Sequence, residues 1–253
     1  MPDLSQHHAV ITGGGTGIGA AIARALLGAG ARVTIMGRRR DVLDACAASL
    51  PGLNAVTVDV TDEASVDAAM AAARAARPVT ILVNNAGAAE TAPLARTSTA
   101  LWERMLAVNL TGTFLCTRAV LGDVMAAPGG RIINVASTSG LRGYAYTGAY
   151  AAAKHGVIGL TRTLALELAK TGATANAVCP GFADTGLVDR SLDNVVAKTG
   201  LTRDAALRQF VRDNPQQRLV LPEEVAATVL WLCDPLSHSV NGQAIAVAGG
   251  EVM

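Results

Sequence analysis

The sequence predicts a three-layer, doubly wound α/β fold, one domain over residues 1–253, on a seven-stranded, mainly parallel sheet. Three observations predict it. Short apolar runs alternate with helical patterns along the whole chain. Such runs are buried on both faces, and helical crossovers between them imply parallel strands with right-handed connections. The first run ends in a glycine-rich turn that opens a helix. The composition supplies the core: of 253 residues, 51% are hydrophobic, 16% charged and 3% aromatic, so the interior must be aliphatic and alanine-rich.

In order, residues 9–12 are a first strand, and 18–27 carry apolar residues at helical spacing until Gly28-Ala29-Gly30 stops them. A second strand over 31–36 precedes a helix over 41–50, punctuated by Pro51-Gly52. A third strand covers 55–58. The helix after it starts near Asp62, with Thr61 as its cap, and runs to residue 76. Strands follow at 79–83 and 132–135, with one long helical pattern over 101–125 between them. Another long helix spans 150–170. Then come a strand at 174–178, a helix at 222–233 and a last strand at 244–247. Residues 182–221 exceed an ordinary connection and hold weak helical pattern at 191–198 and 204–212, as substrate lids often do.

The net charge is +1, so no overall field draws the chain to nucleic acid or to an anionic membrane. No spanning helix is expected, since no uninterrupted apolar run reaches the roughly 18 residues one needs. Residues 1–8 are polar, without a signal-peptide stretch, which makes cytoplasmic residence the expectation. Cysteines 46, 116, 179 and 233 and histidines 7, 8, 155 and 238 form no metal-ligand spacing, so no metal site is expected. The cysteines read as buried free thiols.

Thr12-Gly13-Gly14-Gly15-Thr16-Gly17-Ile18-Gly19 joins the first strand to the first helix. Gly13, Gly17 and Gly19 permit a tight turn and close approach to a pyrophosphate, and the helix N-terminus offers free N–H groups to it. The alternative is a plain glycine turn. At the end of the second strand, where an acid would bind a ribose 2′-hydroxyl, Gly37 stands instead, followed by Arg38, Arg39 and Arg40. Guanidinium groups suit a 2′-phosphate, which favours NADP(H) with NAD(H) possible; a solvated helix start is the other reading.

Tyr150 and Lys154 lie four apart at the start of a helix and share a face. A nearby ammonium favours a phenolate, and such a phenol could protonate a carbonyl oxygen or deprotonate an alcohol. Alone, the spacing is equally that of a pair with no role. Ser137 follows the fifth strand, 13 residues before Tyr150, and Asn84-Asn85-Ala86-Gly87 closes the fourth. Both stand at the carboxyl edge, where such sheets bind ligands.

With Asp59-Val60, Val108-Asn109-Leu110 and Pro180-Gly181, these motifs in this order resemble the short-chain dehydrogenase/reductase family, over nearly the whole chain and nearest its 3-oxoacyl-reducing branch. The resemblance implies a Rossmann-fold oxidoreductase. Tyr150 is then the general acid/base. Lys154 lowers its pKa and holds the nicotinamide ribose, Ser137 hydrogen-bonds the substrate oxygen, and Asn109 anchors a water in a proton relay. Gly13, Thr16, Gly17, Ile18 and Gly19 hold the pyrophosphate, while Arg38 and Arg39 read the NADP phosphate. Asp59 and Val60 are implied adenine contacts, and Asn85, Ala86 and Gly87 a wall of the cofactor site. Pro180, Gly181, Ala183 and Thr185 meet the nicotinamide. A homo-oligomer, tetramer or dimer, is implied as well. Ala248 departs from the family, many members of which carry Asp there.

The expected substrate is a small-molecule ketone or alcohol, with a 3-oxoacyl thioester or related ketone foremost. Alternatives are an NAD-linked alcohol or 3-hydroxyacyl dehydrogenase and a dinucleotide-binding sensor without catalysis. Arg142, Tyr144 and Tyr146 either line the pocket or pack the structure. Arg190, Lys198, Arg203, Arg208 and Arg212 are balanced by nearby acids, which favours a solvated surface.

Overall fold

The structure is a computed structural model that describes residues 2–253; the side chains of Leu187, Arg190 and Lys198 lie outside the described residues. β1 (His8–Thr12) is buried along its whole length, as its apolar run requires. It pairs in parallel with β2 (Arg32–Gly37) on one side and β4 (Ile81–Asn84) on the other. β3 (Leu53–Thr57) extends the sheet beyond β2. β5 (Arg131–Val135), β6 (Thr174–Pro180) and β7 (Ala244–Val247) extend it beyond β4. The order is β3-β2-β1-β4-β5-β6-β7, parallel throughout. It reverses direction between β1 and β4, and the crevice at the carboxyl ends of those two strands is where a doubly wound sheet binds ligands.

Helices cover both faces. α1 (Gly17–Gly28), α2 (Arg40–Ser49) and α9 (Pro222–Leu232) bury Ile22, Leu26, Leu43 and Val229 against one face. α3 (Glu63–Arg74), α5 (Gly112–Ala126) and α6 (Gly148–Leu168) bury Met70, Val120 and Leu164 against the other. A buried polar chain ties the second layer together. Asn84 Nδ2 donates to Thr117 Oγ1 at 3.0 Å and to Asn134 Oδ1 at 2.9 Å. Asn134 Nδ2 donates in turn to Thr161 Oγ1 at 2.9 Å. β4, β5, α5 and α6 are thereby fixed in register beneath the crevice.

The predicted elements are present, with informative differences. α3 is capped by Asp62, whose carboxylate accepts from Ala64 N at 3.2 Å, rather than by Thr61. Thr61 instead donates to Asp59. The long pattern over 101–125 is α4 (Thr99–Leu106), a π-helical turn over Ala107–Thr111, and α5. Taken together, Thr99–Ala126 is long and apolar enough to cross a membrane by length and composition, contrary to the sequence reading. The difference arises because an 18-residue window of this segment holds at most two charged residues at a mean hydropathy of 1.3, although polar residues break its apolar runs; 44% of that window is buried inside the fold. The 182–221 segment carries α7 (Gly186–Thr199) and α8 (Arg203–Val211). α7 starts earlier than the weak pattern suggests. All four cysteines are buried and unpaired.

Candidate active site

The glycine turn is stapled to the end of β4. Asn85 N and Ala86 N donate to Thr12 Oγ1, each at 3.0 Å. Asn85 Nδ2 donates to Thr12 O at 3.0 Å and to Gly13 O at 3.1 Å. Two glycines are obligatory for different reasons. Gly13 has φ +64°, and a Cβ there would sit 2.9 Å from Asn85 Nδ2. A Cβ on Gly19 would collide with the Gly13 carbonyl and lie 2.6 Å from Asn85 Nδ2. Gly19→Ala is therefore expected to cost about 1–3 kcal/mol by overpacking. A thermal melt should show Tm lowered by about 3–9 °C; an unchanged Tm would mean that the turn relaxes freely.

The turn presents an open helix end. Thr16 is the N-cap of α1 and makes no side-chain capping bond, and no acidic residue stands in the first turn. Backbone N–H groups at such a terminus favour an anion. A crowded glycine turn with an uncapped helix end is the donor set a dinucleotide pyrophosphate requires, so the residues present fit that group.

A cleft of about 1000 Å³ opens beside this turn. Gly13, Thr16, Gly17 and Ile18 line it from the turn, and Asn85, Ala86 and Gly87 from the end of β4. Asn109, Ser137, Tyr150 and Lys154 line it from the π-turn, the end of β5 and α6. Pro180, Gly181, Ala183 and Thr185 close it from the end of β6. Thr185 reaches back to the glycines: its Cγ2 lies 3.0 Å from the place of a Cβ on Gly17. Arg39 is at the rim.

Four expected residues do not line the cleft. Gly19 packs behind the turn. Asp59 binds Thr61 through its carboxylate, which with the neighbouring Arg38 holds that carboxyl below its ordinary range. Val60 is buried, in contact range of a Cβ on Gly112. Arg38 is exposed beside Asp59. Arg40 pairs with Asp44 at 2.8 Å, whereas the side chains of Arg38 and Arg39 make no hydrogen bond or ion pair to a described residue.

α6 carries Tyr150 and Lys154 on its first turns, and β5 delivers Ser137. The turn Thr138–Gly140 sits close enough to α6 that a Cβ on Gly140 would lie 2.8 Å from Lys154 O. The Ser137 hydroxyl stands close enough to the Tyr150 phenol to favour its ionised form, and Ser137 Oγ accepts from Ser139 N at 3.1 Å. Lys154 Nζ donates to Val135 O at 2.9 Å and lies 5.7 Å from the Tyr150 ring centroid.

One sequence expectation is corrected. The lysine was to lower the phenol's pKa, yet Tyr150 is held above its ordinary value. Burial dominates, and the Ser137 hydroxyl offsets it only partly. Burial likewise brings Lys154 down to about 8. The ammonium is turned to a main-chain carbonyl rather than to the phenol oxygen, so its field at that oxygen is weak in this arrangement.

Asn109 interrupts the α4–α5 helix. Its Oδ1 accepts from Ala88 N at 3.2 Å, and its Nδ2 donates to Ala88 O at 2.9 Å and to Met105 O at 3.0 Å. The side chain thus holds the loop after Gly87 against the cleft. Tyr144 lines the cleft and Tyr146 does not: it is 64% exposed, with φ +69°. Arg142 packs behind, against Tyr144.

Sequence reasoning missed Phe182, Val188, Val195 and Phe210, which give the cleft an apolar end. Phe182 and Phe210 meet edge to face with centroids 4.9 Å apart. Phe182 follows the Pro180-Gly181 motif directly and was legible from it. The other three lie in a segment with only weak pattern.

Comparison with known proteins agrees with this geometry. The short chain dehydrogenase family model matches residues 7–195. A granaticin polyketide synthase putative ketoacyl reductase of Streptomyces violaceoruber is 39% identical, over 96% of this chain and 92% of that protein. A D-beta-hydroxybutyrate dehydrogenase of Rhizobium meliloti is 34% identical, over 96% of this chain and 97% of its own. The crystal structure of a point variant of actinorhodin polyketide ketoreductase with NADPH superposes with a TM-score of 0.93 at 36% identity, covering 99% of both chains.

Proposed function

The chain belongs to the short-chain dehydrogenase family of NAD(P)-dependent oxidoreductases, and from that premise we propose that it reduces a ketone to a secondary alcohol, reversibly, with NADP(H). The observation that carries the reading is the convergence of Ser137, Tyr150 and Lys154 in one cleft with the uncapped glycine turn. NADPH supplies a hydride from its nicotinamide ring when bound. The chain's own residues do the rest. Ser137 and Tyr150 hydrogen-bond the substrate carbonyl, and the phenol O–H gives its proton to the oxygen as negative charge develops there. A phenol held above its ordinary pKa is protonated at neutral pH, the form needed for reduction. Lys154, still mostly charged at neutral pH, holds the cofactor ribose. The implied water held at Asn109 then returns a proton to the site.

Preference for NADP(H) is supported by Gly37 in place of an acid and by the unpaired, exposed Arg38 and Arg39 at the start of α2. The NADPH in the actinorhodin enzyme's structure is consistent with it. Arg38→Asp is expected to raise the Michaelis constant for NADPH about 10–100-fold, with little change for NADH, because it trades a phosphate partner for a repelling charge. Equal losses with both cofactors would show that the phosphate is read elsewhere.

The apolar end formed by Phe182, Val188, Val195 and Phe210 suits a ketone with bulky apolar flanks. The relatives named as ketoacyl reductases favour a 3-oxoacyl thioester or a related ketone. The relative named as a hydroxybutyrate dehydrogenase supports the second reading, NAD-linked oxidation of a hydroxyacid. A panel of ketones and alcohols assayed with both cofactors decides between them. Residues 182–221, with α7 and α8, act as the substrate lid. Trp102, Phe114 and Leu166 leave apolar surface on α4, α5 and α6, which a dimer or tetramer would cover.

A further inference from the structure

A carboxylate near the C-terminus is buried behind the cleft wall. Gly249 and Gly250, at φ +61° and +93°, turn the chain after β7 so that Glu251 points inward. Its side chain is 2% exposed. A buried carboxylate needs partners to offset its desolvation. Glu251 Oε1 accepts from the Tyr144 hydroxyl. Arg142 Nη2 lies 3.7 Å from the same oxygen, and Arg142 Nη1 donates to Glu251 O at 3.4 Å.

Two further contacts carry this cluster to the cleft. Thr138, the neighbour of Ser137, stands close enough to the Tyr144 phenol to favour its ionised form, and the Tyr144 ring itself lines the cleft. Arg142 stacks over that ring, its guanidinium carbon 4.5 Å from the centroid. Its Nη2 also donates to Asp213 Oδ2 at 2.8 Å, just beyond α8. One carboxylate thus joins the loop after Ser137, the substrate wall and the end of α8.

We propose that Glu251 is a positioning residue for the substrate: its carboxylate fixes Tyr144 as a wall of the substrate site and, through Arg142, holds Asp213 and the end of α8 beside it. This rests on the ketone-reducing reading above. Removing the carboxylate should loosen the wall without touching the reacting atoms. The loss then falls on substrate KM rather than on kcat.

The test compares wild type, Glu251→Ala, Glu251→Gln, Tyr144→Phe and the Glu251→Ala/Tyr144→Phe pair, each checked by thermal melt and NADPH fluorescence titration. Glu251→Ala is expected to raise ketone KM about tenfold, with kcat within about threefold and NADPH affinity unchanged. Tyr144→Phe should do the same, and the double variant should be no worse than the larger single effect, as for residues acting as a unit. Glu251→Gln should recover most of the loss, because an amide oxygen still accepts from Tyr144. Hydrogen exchange on NADPH-loaded protein should speed up at residues 138–144 and 203–214 in Glu251→Ala. Wild-type KM in Glu251→Ala, additive losses, a loss falling on NADPH, or unchanged exchange would each overturn the proposal. If Glu251→Ala does not fold, Tyr144→Phe, which keeps its ring over Arg142, carries the KM and exchange tests. A wild-type enzyme that turns over no ketone or alcohol refutes the functional reading, and the exchange experiment still decides the role of Glu251.

Discussion

Tyr150→Phe is expected to lower kcat/KM for ketone reduction about a thousandfold, within the range general acids contribute, while NADPH affinity stays within about threefold. The variant removes one oxygen and leaves the ring, so the cleft keeps its shape. The same phenol sets the expected pH dependence. Burial holds it above its ordinary value, so it is protonated through the neutral range. Reduction should therefore run undiminished at neutral pH and decline in alkali as the phenol ionises. Alcohol oxidation needs the phenolate and should rise over the same alkaline range. Initial rates of NADPH consumption and formation across pH check both directions. Equal rates in wild type and variant would leave the proton with another group, and with it the whole assignment of the site.

Lys154→Met should do two opposite things: lower turnover at least about a hundredfold and raise thermal stability. Lys154 is 5% exposed and has, among the described residues, a single acceptor, Val135 O, for its three N–H groups. Its folded pKa, about 8, lies below the ordinary 10.5, so below pH 8 the native state carries a charge its surroundings disfavour. That penalty is on the order of a few kcal/mol, less about 1 kcal/mol for the hydrogen bond lost with the lysine. The net gain for methionine at pH 7 is about 1–2 kcal/mol, or about 3–6 °C in Tm. The sign has a further check. Between pH 8 and 10.5 the unfolded chain holds the lysine proton and the folded chain does not, so wild-type stability rises with pH there. The advantage of the variant should shrink over that window, as melts at pH 7, 9 and 10 would show. A destabilised variant at pH 7 would mean that the ammonium is better satisfied than its one hydrogen bond suggests.

Much of this site was legible before the fold was known, and the reason is local. Gly13 and Gly19 are required by collisions within the turn, and the partners of Asn85 lie in strands adjacent in the sheet. Strand patterns with helical crossovers leave few arrangements, so the edge that gathers Asn85, Ser137 and Pro180 follows from topology. What was not legible depends on distance and burial. Glu251 meets Tyr144 across more than a hundred residues, and no spacing rule announces that contact. The π-turn hid because its residues still read as helix. The direction of the Tyr150 pKa was misjudged because spacing reports proximity along a helix, while the competition between desolvation and a cation depends on where the ammonium points.

The π-turn at Ala107–Thr111 has an evolutionary corollary. Such a turn is one surplus residue accommodated in an otherwise ordinary helix. Point substitution changes its side chains but cannot remove the surplus. Deleting a single codon within 107–111 would restore plain helix and leave the flanking turns facing nearly as they do, because the wide turn absorbs its surplus locally, but the side chains within the turn would shift. The amide of Asn109 would then leave Ala88, and the loop behind Gly87 would lose its tether. Descent from an ancestor with a straight rod here thus needs an insertion, and reversal a loss of sequence length.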